Sequence, residues 1–155
     1  MIKHTLLFIL IALITACSPD VKHSKEQLLK QSIEQLETRF EQRSLSKISE
    51  YISENYKDEQ GHKQKDIKRI IQMQLLRHKS LHVFSTINSV NWQDDNHATV
   101  EITAAMAGKP IESISVLTSI RADMIKFKVN FIRDQDLFKV QSASWTWARP
   151  SDFLK

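Results

Sequence analysis

Four groups of residues and one lone cysteine in this 155-residue chain could carry chemistry. His78 and His82 stand four apart, the spacing that sets two imidazoles on one helical face for a metal ion. No third ligand follows at a fitting distance, and Leu81 already opens a strand pattern, so the spacing straddles a helix end and no metal or other cofactor is expected. Asp58 and Glu59 precede Gly61 without the ligand alternation of a calcium loop, which reads as a solvated turn acting as a structural joint. Lys126 and Lys128, with Lys139 across a hairpin, form a basic stripe. Either this is a strand's polar face, its lysines discouraging edge pairing, or it contacts lipid phosphates or an acidic partner. Trp145 and Trp147 share one strand face, as core, as interface or as the lining of a pocket for an apolar ligand. The remaining candidate is the lone cysteine, Cys17.

Cys17 follows Lys3, His4, an apolar run from Leu6 to Ile14, and then Thr15 and Ala16. Such a run has the length of a secretory signal core and falls short of the roughly 20 residues that span a bilayer. The four residues Ile14, Thr15, Ala16 and Cys17 resemble the lipobox of bacterial lipoproteins. That resemblance implies cleavage before Cys17 and acylation of its thiol and new amino group, an anchor with palmitate-type chains and not a nucleophile. Ordinary secretory cleavage, leaving a free thiol, is the alternative. An aspartate after the cysteine tends to retain such proteins in the inner membrane. Ser18 occupies that position here, so the implied address is the periplasmic face of the outer membrane of a Gram-negative bacterium. Residues 1–16 are then the signal peptide and 17–23 the acylated cysteine and tether, whose polar part from Ser18 reaches about 20 Å at ~3.5 Å per residue.

Residues 24–155 are a comfortable size for one hydrophobic core. With Cys17 acylated no disulfide can form within them, so packing must supply the stability. A formal charge of +4, spread along the chain, is no nucleic-acid signature, and none is expected as a partner. Two glycines and three prolines imply dense regular structure, without repeats.

The elements that must position the candidates follow from periodicity. Ser24 with Gln27 reads as a capping box, and Leu29, Ile33, Leu36 and Phe40 recur at helical spacing. Leu45, Ile48 and Ile52 mark a second, shorter helix, which NYKDEQG at Asn55 to Gly61 ends. Ile67, Ile70, Ile71, Leu75 and His78 line a third, with Asp66 suiting its dipole. From Leu81 the period becomes two. A hairpin runs to Trp92, turns at Gln93 to Asn96, and returns through Ala98, Val100, Ile102, Ala104 and Met106 with one face in the core. Ile111 to Ala122 holds a short helix or a loop. A second hairpin alternates Ile125, Phe127, Val129 and Phe131 with polar residues, turns at Arg133 to Asp136, and returns from Leu137 to Trp147. Three helices followed by four antiparallel strands make an α+β domain, with the helices on one face of the sheet.

Four stretches are similar to small bacterial lipoproteins of the nuclear transport factor 2-like, or cystatin-like, superfamily: YISENYKDEQGHKQKDIKRII at Tyr51 to Ile71, LRHKSLHVF at Leu76 to Phe84, TAAMAG at Thr103 to Gly108, and ASWTWARPSDFL at Ala143 to Leu154. The resemblance implies N-terminal helices on a curved four-stranded antiparallel sheet that closes a cone. In enzymes of this superfamily, isomerases and dehydratases among them, polar residues inside the cone do the chemistry. Tyr51, Tyr56, His78, His82, Asp123, Trp145 and Trp147 are the residues that could face such a pocket. Neither an isomerase tyrosine and aspartate pair nor a dehydratase histidine pair maps onto them by motif, so no catalytic residue carries over. The expectation is a lipid-anchored, non-catalytic binding or scaffold domain, meeting an envelope protein, a second copy or a small apolar ligand. A small isomerase- or dehydratase-like enzyme is the alternative.

Overall fold

The computed structural model describes residues 24–154. Residues 1–23, which include the stretch read as a signal peptide, Cys17, Ser18 and the stretch read as a tether, lie outside them.

The first helix, α1 (Lys25–Glu41), begins as its sequence directs. Ser24 Oγ accepts the Gln27 N–H at 3.2 Å while the Ser24 N–H donates to Gln27 Oε1 at 3.0 Å, so two otherwise orphaned donors are met. Its buried residues are Leu28, Leu29, Ser32 and Ile33. Ser32 is a polar member of an apolar stripe, and its hydroxyl serves two elements. It donates to Leu28 O and accepts the Phe138 N–H, both at 2.8 Å, which joins α1 to the last strand.

The second helix, α2 (Leu45–Ser49), is shorter than periodicity suggests. Ile52 leaves it to bridge Val140, with Val140 N–H donating to Tyr51 O and Ser53 N–H to Val140 O. The third, α3 (Gln64–Arg77), starts where Asp66 Oδ2 accepts the Lys63 N–H at 3.0 Å, and ends at a His78 already in extended conformation.

Four antiparallel strands follow in sheet order β1 (His82–Trp92), β2 (His97–Ala107), β3 (Asp123–Asp134) and β4 (Leu137–Trp147). Bulges between Ile87 and Ser89 and between Asn130 and Phe131 bend the strands and raise their twist. Partners such as Ile102, Phe127 and Trp145 place one set of side chains toward the helices. There Val100, Ile102, Val129, Phe131, Phe138 and Val140 join Leu29, Ile33, Ile48 and Ile52 in the main core.

The other face is not wholly left to solvent. The connection Ile111 to Ala122 contributes a 3-10 turn, Ile114–Thr118, and the chain ends in another, Pro150–Leu154. Leu117 and Phe153 cover Ala105, Phe84 and Met124 there. Thr103, expected on a solvent face, is completely buried; it donates to Asn88 Oδ1 at 2.7 Å. At this end β2 is therefore buried on both faces. Lys126 and Lys128 lie on β3, a central strand, so they cannot serve to discourage edge pairing.

Candidate functional site

The residues singled out by sequence do not converge on one cavity. Tyr51 is half-buried after α2 and Asp123 is exposed at the start of β3. His78 caps α3 while His82 opens β1, so their spacing straddles two elements, both half-buried. Among the described residues no three His, Cys, Asp or Glu side chains are placed to hold a metal ion.

Tyr56 and Asp58 do meet, in a structure the sequence misread. Asp58 is buried, not solvated, and Gly61 closes the turn around it with φ 84°, a backbone conformation that suits glycine. Asp58 Oδ1 accepts the N–H groups of Gln60 (3.0 Å) and His62 (2.9 Å); Oδ2 accepts the Tyr56 hydroxyl (3.2 Å) and lies 2.9 Å from His62 Nδ1. Burial alone would push this carboxyl up, but the bonds from His62 and Tyr56 outweigh it and hold the acid below its ordinary value. Tyr56 responds in the opposite sense: burial first, and then Asp58, push its phenol up to about 12. The phenol proton is committed to Asp58. The cluster is a hydrogen-bonded joint between α2 and α3.

Trp145 and Trp147 share a strand face, as their spacing requires, but they are not in the core: Trp147 is 79% exposed and Trp145 37%. Their cross-strand partners are Phe127 and Ile125. The aromatic pair thus continues the helix-facing surface of the sheet past its packed part and into solvent.

Two shallow depressions, of about 120 and 180 Å³, mark the surface of the described residues. One is lined by Glu101, Lys126, Lys128, Trp145 and Thr146. The other is lined by Glu59, Thr99, Lys128, Asn130 and Ser142. Register puts Glu101 beside Lys128 and Thr99 beside Asn130, on the face turned away from the helices. The three lysines of the basic stripe share that face, yet two are engaged, Lys126 with Asp152 at 3.4 Å and Lys139 with Asp134 at 2.6 Å.

One acid on the helix side escaped sequence reading. Glu37 of α1 accepts a hydrogen bond from the Ser85 hydroxyl of β1. Burial is the main influence and pushes its carboxyl up, against the pull of that bond. Its position was legible, since Glu37 lies one turn after Ile33 on an otherwise apolar stripe. Neither depression reaches it.

No family model matches the chain, and no curated protein does. Solved structures do. One is a protein provisionally named a scytalone dehydratase, from Novosphingobium aromaticivorans: TM-score 0.62, 6% identity, 81% of this chain and 85% of that one covered. A second, provisionally named a dehydratase of the nuclear transport factor 2-like family, from Streptomyces avermitilis, has TM-score 0.62 and 12% identity over 80% and 96%. A third is a domain of unknown function with a cystatin-like fold from Nostoc punctiforme, with TM-score 0.54 and 12% identity over 77% and 74%. The chain has the cystatin-like, nuclear transport factor 2-like fold.

Proposed function

We propose that the protein is a lipid-anchored envelope protein, held through Cys17 at the periplasmic face of the outer membrane, whose domain is a non-catalytic binding module. The observation that carries this reading is a contrast within one surface. Between helices and sheet the space is filled by the chain's own Ile33, Ile48, Val100, Phe131 and Phe138, whereas Trp145 and Trp147 extend that same surface into water. Large exposed aromatic rings are costly to leave hydrated, and in a folded domain they mark a surface that is covered when it works. The ligand class is an apolar surface of an envelope protein, or an apolar small molecule, laid on the indole pair.

Two experiments test the two halves. Changing Cys17 to Ser abolishes acylation and membrane fractionation, and Ser18 to Asp moves the protein to the inner membrane; a Cys17→Ser chain that fractionates like wild type overturns the anchor. Crosslinking in cells recovers a partner or lipid from wild type but not from a Trp145→Ala, Trp147→Ala chain. Equal recovery from both assigns binding elsewhere and overturns the indole surface.

The enzyme reading keeps one supporting observation, the half-buried Glu37 with its raised carboxyl beside Ser85. The solved neighbours named as dehydratases make water elimination the reaction to assay. Activity lost in Glu37→Gln would favour it over the binding module.

A further inference from the structure

The two edges of the sheet are finished differently. The β4 edge is closed in part by the segment after α2, where Tyr51 O accepts Val140 N–H, Ser53 N–H donates to Val140 O and Lys57 N–H donates to Gln141 O. At the other edge β1 pairs only with β2. Glu41 Oε1 accepts the Val83 N–H at 2.9 Å, which closes one end of that edge, and the stretch beyond it runs on through Ile87 and Val90, 37% and 40% exposed.

Folded proteins protect such an edge with lysine, with proline or with an inward charge. Here β1, HVFSTINSVNW, carries no Lys, Arg, Asp, Glu or Pro, whereas every other strand holds at least one charged residue. Charged residues occur on β2, β3 and the β4 edge and are missing from the β1 edge. The bulge between Ile87 and Ser89 is the one guard within β1 itself; it twists the strand but adds no charge.

We infer that the β1 edge is an interface with a second copy of this chain, formed by antiparallel β1 to β1 pairing into one continuous eight-stranded sheet. An uncharged strand offers no sign by which to select a foreign strand, but it meets its own copy across a two-fold axis without like-charge repulsion. The axis of such a pair is normal to the sheet, so both copies keep their helices on the same side. This places both α1 N-termini on one side, and with them, on the anchor reading of Cys17, both tethers toward one membrane. Confinement to that surface raises the effective concentration for pairing. The indole pairs on the two β4 strands then lie at opposite outer edges of the dimer, free for two partners.

The test uses the full chain in detergent, by sedimentation velocity and by disulfide crosslinking. Wild type sediments as a dimer, and a single Ser89→Cys chain crosslinks to itself while Thr146→Cys, at the other edge, does not. Ile87→Lys, or Val90→Lys should the first fail to give a cooperative thermal transition, places like charges across the axis and weakens self-association about a hundredfold. A monomeric wild type overturns the inference, as does a dimer that survives the lysine or crosslinks through Thr146→Cys. Crosslinking of Ser89→Cys only to a different protein overturns the second copy as occupant. Dimerisation of Cys17→Ser in solution separates this interface from the anchor: a dimer that is soluble keeps the interface and removes the tether.

Discussion

Asp58 and Asp94 make nearly the same set of bonds in two places. Each accepts the N–H of the residue two positions on, at 3.0 Å from Gln60 and 2.7 Å from Asn96; each also accepts a histidine N–H and lies within 2.9 Å of that histidine's Nδ1. Their surroundings differ. The Asp58 side chain is 2% exposed, and that of Asp94, in the turn between β1 and β2, is 57% exposed. For Asp94 there is little desolvation to overcome, and the bonds from Asn96 and His97 hold its carboxyl below the ordinary value. The two sites teach that a turn motif has a local geometry that sequence can specify, but an energetic weight set by whatever packs over it. Over Asp58 that is Tyr56; Asp94 stays more than half exposed, with the Lys25 charge nearby.

The largest expected effect is therefore Asp58→Ala. It strands the buried Tyr56 hydroxyl and removes the acceptor of two part-buried turn N–H groups, and about 3 kcal/mol should be lost, read by chemical denaturation. Next comes pH. The folded-state carboxyl of Asp58 is lowered, so its contribution is complete above the unfolded carboxylate pKa near 3.9 and is lost as pH falls through the folded value. Stability measured between pH 6 and pH 2, as about the working window of a carboxylate, should fall less steeply in Asp58→Asn than in wild type. A parallel acid limb would show that the joint does not titrate. Tyr56→Phe removes one of four donors and should cost about 1 kcal/mol, with the Asp58 acid limb retained. Asp94→Ala should give the smallest change, a denaturation midpoint close to wild type. If it matched Asp58→Ala, burial would not be what separates the pair.

Much of the fold was legible because its signals are local. Ser24 and Gln27 announce a helix start within four residues, and Gln93 to Asn96 a hairpin turn. Alternation from Ala98 to Met106 gave the core face of β2 correctly. It could not reveal that the opposite face is covered as well, because Ala105 is covered by Leu117 and Phe153 and Thr103 meets Asn88 and Asp152, which lie outside its own strand. Period-two patterning reports which residues share a face, not how many faces are buried. Asp58 was misread for the same reason: carboxylates in a Gly-terminated turn are usually wet, and only the packing of Tyr56 makes this one dry. The candidate site was least legible. Trp145 and Trp147 were correctly placed on one face, but whether that face is roofed depends on how far the helices reach. Ile52 was taken for helix because an apolar residue four after Ile48 fits both a continuing helix and the bridge to Val140 that it makes.

Ser32 also has a bearing on time. Its bond to the Phe138 N–H joins residues 106 apart in sequence, so the first of the described helices is completed only when the last strand is in place. The strands pair with their sequence neighbours and α2 and β1 can pack on α1 early, but the α1 contacts with β4, the Ser32 bond among them, must wait for the final strand. Until Phe138 arrives, Leu29 and Ile33 are covered only in part, by Ile48, Ile52 and β1, so the unfinished domain keeps apolar surface exposed.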